Sequence, residues 1–87
     1  MVNIIKTSND HLSLEYEEGD HENVKRAIEK IDKHYKAADR LDSASLEVDG
    51  SKLTAGQDEM GRFLISSSSS GDRIIKYIKS LIDSWSK

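Results

Sequence analysis

The chain has 87 residues, with 13 Lys and Arg against 16 Asp and Glu, a formal net charge of −3, and neither cysteine nor proline. That length holds one hydrophobic core and excludes a second domain, while the lack of cysteine excludes disulfide staples, a thiolate nucleophile and a Cys-ligated zinc. No segment approaches the roughly 20 apolar residues of a membrane span, and the opening Met1-Val2-Asn3-Ile4-Ile5-Lys6 lacks the basic region and long apolar run of a signal peptide, so a cytoplasmic setting without a membrane partner is expected.

Val2 to Lys6 is short and β-branched, and residues 11 to 17 alternate, with Leu12, Leu14 and Tyr16 on one face and Ser13, Glu15 and Glu17 on the other. This predicts a half-buried strand pair joined through the turn formers Thr7-Ser8-Asn9-Asp10. Gly19-Asp20 ends the second strand, and Asp20 is placed to cap a helix running to about Arg40 or Leu41. Val24, Ile28, Ile31, Tyr35, Ala38 and Leu41 follow steps of four and three, one apolar stripe. Glu29 with Lys33 and Asp32 with Lys36 are i,i+4 pairs in the favourable order, which assigns the opposite face to solvent.

Asp49-Gly50 is the preferred dipeptide of a type I′ hairpin turn. Placed there, it pairs Val48 with Ser51, Glu47 with Lys52, Leu46 with Leu53, Ser45 with Thr54 and Ala44 with Ala55, so that leucines meet on the core side and opposite charges meet in solvent. Residues 56 to 61 have Gly at both ends and no period, which predicts a loop. Arg62 to Ser66 follows as a strand with Phe63 and Ile65 on one face, and Leu64 implies some cover on both faces. The serine run from Ser66 to Ser70 suits a strand end and a helix cap. The last helix, about Asp72 to Trp85, aligns Ile74, Ile78, Leu81 and Trp85, widened by Ile75 and Ile82. The predicted fold is α+β, a small antiparallel sheet in the order ββαβββα with two helices packed on one face.

Charge is banded along the chain: residues 1–24 sum to −5, 25–40 to +3, 41–60 to −4 and 61–87 to +3. Folding can gather like bands into an acidic and a basic surface. Glu15, Glu17, Glu18, Asp20 and Glu22 form the densest acidic cluster, with Asp49, Asp58 and Glu59 as possible partners in the later acidic band. Carboxylates on exposed strand positions lack the enclosing pocket that acid–base chemistry needs. They read either as a solvated edge that discourages aggregation or as a surface that docks a basic protein. Arg26, Lys30 and Lys33 on the first helix and Lys76 and Lys79 on the last are the candidate phosphate contacts, with the solvated-face reading beside them.

His11, His21 and His34 share no metal-ligand spacing, so neither metal nor cofactor is expected. Ser66 to Ser70 has no motif supplying a base and an oxyanion hole, and no enzyme is expected. Trp85, in phase with Ile78 and Leu81, is assigned to the core.

Gly61-Arg62-Phe63-Leu64-Ile65-Ser66, the serines after it and the helix ending Leu81-Ile82-Asp83-Ser84-Trp85 resemble the strand, Ser-rich turn and Trp-ended helix of small phage anti-CRISPR proteins of the type II-A group, over about the last 27 residues. The resemblance implies an acidic inhibitor that occupies the DNA-binding surface of a CRISPR nuclease. The N-terminal hairpin and the basic last helix depart from that pattern, so no contact residues carry over. Small modulators of the RecA recombinase are similar in element order but have an acidic last helix, where this chain has Lys76, Lys79 and Lys87. The expected function is therefore a non-enzymatic protein-binding module that inhibits a nucleic-acid-handling or defence protein through the acidic residues. The alternatives are a nucleic-acid-binding module using the basic helix faces and a small oligomeric structural protein, and the sequence leaves the oligomeric state open.

Overall fold

The computed structural model describes residues 2–8, 10–32, 45–59 and 61–85. Five strands, β1 (Val2–Lys6), β2 (Leu12–Tyr16), β3 (Leu46–Val48), β4 (Ser51–Asp58) and β5 (Gly61–Ser66), form one antiparallel sheet in the order β1-β2-β5-β4-β3. Helix α1 (His21–Ile31) follows β2 through a 3-10 turn over Glu18–Asp20, and α2 (Ser69–Trp85) follows β5. The fold is α+β, with the expected order of strands and helices.

Cross-strand partners share a face, so the register assigns each side chain to one layer. Ile4, Leu14, Leu64 and Ala55 make one row, and Leu46 faces Leu53 beside it. These residues join Val24, Ala27 and Ile28 of α1 and Ile74, Ile75, Ile78 and Ile82 of α2 in a single core, so both helices cover the same side of the sheet. No helix among the described residues is long and apolar enough to cross a membrane.

The β3–β4 hairpin has the expected register from Leu46 to Val48, and Asp49 and Gly50 have φ of 49° and 82°, the positive values that a type I′ turn demands. Ser45 lies before β3, and Ala44 is outside the described residues.

Several expectations need correction. Helix α1 ends at Ile31, not near Arg40, because Asp32 is extended (φ −127°) and its Oδ2 accepts the Asp49 amide at 2.9 Å, tying the chain to the β3–β4 turn. Lys33 and Lys36, the predicted partners of Glu29 and Asp32, and the rest of the predicted stripe, Tyr35, Ala38 and Leu41, lie outside the described residues. Asp20 makes no side-chain cap and belongs to the 3-10 turn. The expected loop at 56–61 is largely strand, since β4 continues through Gly56 and Gln57 to Asp58. Gly56 sits opposite Phe63, whose ring occupies the space a Cβ would need. As expected, Phe63 and Ile65 share one face of β5 and both faces are partly covered; Leu64, opposite Leu14, is the residue that faces the helices. Ser13, expected in solvent, is 2% exposed between its neighbours Ile5 and Ile65 on the face opposite α1 and α2. Helix α2 starts at Ser69, ahead of Asp72, with Ser68 Oγ accepting the Gly71 amide at 3.0 Å as an N-cap.

Candidate functional site

Two places gather the polar residues singled out by sequence, one at each end of β4. At the first end, β2 runs out into Glu17 and Glu18 while the β4–β5 hairpin turns at Asp58 and Glu59. Because β5 lies between β2 and β4, these two acidic pairs, about forty residues apart in sequence, are set around Arg62. A shallow depression of about 530 Å³ is lined by Glu17, Glu18, Gln57, Asp58, Glu59, Gly61 and Arg62. A neighbouring one of about 250 Å³ shares Glu17, Asp58 and Arg62 and adds Asn3, Glu15 and Phe63.

Arg62 sits in the core-side row with Tyr16 and Gln57, and its guanidinium grips Glu18 with a fork, Nε to Oε2 and Nη2 to Oε1 at 3.1 Å. The Arg62 side chain is largely covered while Glu18 is exposed, so this pair anchors one exposed carboxylate at the strand end. Glu15, Glu17, Asp58 and Glu59 are all exposed. Five carboxylates thus line these two adjoining depressions, and Glu18 is the one held by the fork from Arg62 described above.

The remaining acidic candidates lie elsewhere. Asp20 is half-buried in the 3-10 turn, and Glu22 is exposed on α1 with Lys25 Nζ at 3.5 Å. Asp49 is at the far end of β4, about 23 Å away for a strand of this length. The structure therefore unites Glu15, Glu17, Glu18, Asp58 and Glu59 and separates Asp20, Glu22 and Asp49 from them.

The basic candidates are dispersed more thoroughly. The Arg26 guanidinium stacks 4.6 Å from the centroid of the Trp85 ring, which itself packs against the core, and Lys79 Nζ donates to Asp83 at 2.7 Å. Lys76 is exposed on α2. Lys30 lines a cleft at the second end of β4 together with Ile31, Asp49, Ser51, Ser70, Arg73, Ile74 and Tyr77. Arg73 and Tyr77 were not singled out by sequence. The available signal was their i,i+4 spacing on the side of α2 away from the buried isoleucines.

The two described histidines, His11 and His21, each contact a neighbouring element. His11 Nδ1 lies 3.2 Å from Asp72 Oδ2, and Asp72 Oδ1 accepts the Leu12 amide at 2.9 Å. The Leu12 amide is the main cause that holds the Asp72 carboxyl down to about 2; the Ser66 hydroxyl and the His11 imidazole add to this, against the opposing effect of burial. His21 stacks on Tyr16 with ring centroids 6.2 Å apart, and His34 lies outside the described residues. Ser66 is sealed from solvent, and its hydroxyl donates to the Ser68 carbonyl at 2.8 Å and accepts the Ser68 amide, so it closes the turn into α2. No group of metal-ligating side chains is present among the described residues. No family model matches the chain, and no curated protein or solved structure is significantly similar to it.

Proposed function

We propose that the protein is a non-enzymatic binding module that docks a basic surface of a protein partner through the acidic end of its sheet. The observation that supports this is the gathering of Glu15, Glu17 and Glu18 with Asp58 and Glu59 at one end of the sheet, on strand ends braced by the core. Exposed carboxylates on a rigid frame complement a cationic patch and steer its approach. In this reading the partner is a nucleic-acid-handling protein, such as a CRISPR nuclease, whose phosphate-binding surface the carboxylates cover; that class is suggested by the resemblance of the last 27 residues of the sequence to small anti-CRISPR proteins.

The test compares wild type with a Glu15→Lys, Glu17→Lys, Glu59→Lys variant as baits in cells that express the protein, with mass spectrometry of what is retained. A partner held by wild type should be lost from the variant, whose far-ultraviolet circular dichroism stays unchanged, and its binding to wild type should weaken as salt rises. Equal retention by both baits removes the proposal.

A further inference from the structure

We propose that the cleft at the opposite end of β4 binds a nucleotide unit, with its base on the Tyr77 ring and its phosphate between Lys30 and Arg73. This goes beyond the acidic-end reading and does not depend on it. The two helices run in opposite senses, with Arg26 of α1 beside Trp85 and Lys30 beside the first half of α2, and the β3–β4 turn closes the third side. The space is about 430 Å³, within the range of roughly 300–1,000 Å³ that small-ligand sites occupy.

Tyr77 is 58% exposed, and it is out of phase with the isoleucines that α2 buries, so the core does not use its ring. A ring held on a helix and left open to water is a stacking platform for a base. Arg73 lies one turn before Tyr77 on the same face, and Lys30 reaches the cleft from the other helix. Neither cation forms an ion pair with a described residue, unlike Arg62 and Lys79. Ile31 and Ile74 add apolar lining, and Ser51 and Ser70, joined by a 2.8 Å hydroxyl–hydroxyl bond, supply further polar contacts. Asp49 is the one carboxylate among the described lining residues and opposes an anion, so its charge gives the site a sign that can be tested. Lys76, one turn beyond Arg73 and exposed, extends the basic track along α2.

The nucleotide unit has two sources, a free mononucleotide or a single strand, and both are titrated into the isotope-labelled full chain at low salt. The probes are adenosine monophosphate, a short oligothymidylate and inorganic phosphate, read by amide chemical shifts. Shifts centred on Lys30, Arg73 and Tyr77 with the oligonucleotide and much smaller ones with the mononucleotide assign a strand; comparable affinity for both assigns a free nucleotide. Tyr77→Ala should weaken the better nucleotide probe roughly fivefold to a hundredfold. Where that probe is the strand, Arg73→Ala should lower the salt slope by about 0.7. Asp49→Asn should tighten either probe. The three side chains are exposed, so the variants keep the wild-type circular dichroism. Nucleotide-induced shifts that avoid this cleft, phosphate binding as tightly as the nucleotide, or an affinity unchanged by Tyr77→Ala would overturn the proposal.

Discussion

Asp72 joins parts of the chain sixty residues apart. One oxygen takes the Leu12 amide and the other meets the His11 imidazole, so the carboxylate pins the β1–β2 connection to the first turn of α2. Thr7 reinforces that connection by donating its hydroxyl to the His11 carbonyl at 2.9 Å. Removing the carboxylate in Asp72→Ala leaves a partly buried amide without its acceptor, a loss of about 1–3 kcal/mol of stability by chemical denaturation. The pH dependence has a fixed sign. The folded carboxyl titrates at about 2, below the ordinary 3.8, so its contribution is fully present above about pH 4 and disappears as pH falls through 2. Urea midpoints of wild type should therefore drop more steeply in that window than those of Asp72→Asn, and parallel curves would show that the carboxylate is not tied in as described.

At the scale of elements, the seat of α2 on the sheet depends on Gly71. It is buried, and a Cβ there would stand 2.5 Å from Ser66 Oγ and 3.3 Å from Leu53 Cδ2. Ser66 cannot swing away freely, because its hydroxyl donates to the Ser68 carbonyl and accepts the Ser68 amide. In an open helix Gly→Ala stabilises by up to about 1 kcal/mol; here overpacking should win, and Gly71→Ala should lose about 1–3 kcal/mol. A thermal midpoint at or above wild type would show that α2 can lift off its seat at little cost. The serine run announced a cap, but not that its glycine is a contact point, since that depends on Leu53 from another strand. The same division recurs elsewhere. The register from Leu46 to Leu53 was legible because Asp49-Gly50 encodes its own turn. The continuation of β4 through Gly56 was hidden because Phe63, which covers that glycine, belongs to the next strand. Which face of β5 meets the helices was left open for a similar reason, as the phase of Leu64 is set by Leu14, fifty residues earlier. For the candidate site, the exposure of Glu15 and Glu17 followed from the alternation of β2, whereas their meeting with Asp58 and Glu59 required β5 to insert between β2 and β4.

Across the whole molecule, β4 separates a carboxylate-rich end from a cleft holding two cations, and the domain's net charge of −3 conceals that polarity. Concentrating like charges opposes folding, so the acidic end should cost the domain stability. Glu59 tests this because it is exposed at the tip of the β4–β5 hairpin, away from the core, where a substitution alters charge and little else. At low salt, where screening is weak, Glu59→Lys should raise stability by about 0.2–0.5 kcal/mol through relief of repulsion from Glu17, Glu18 and Asp58. The gain should fade toward zero at about 1 M salt, where the screening length falls to about 3 Å. Matched urea titrations at low and high salt check both statements. A variant less stable than wild type at low salt would mean that Arg62 and its surroundings already balance the carboxylates, and the acidic end would then have to be explained without stored repulsion.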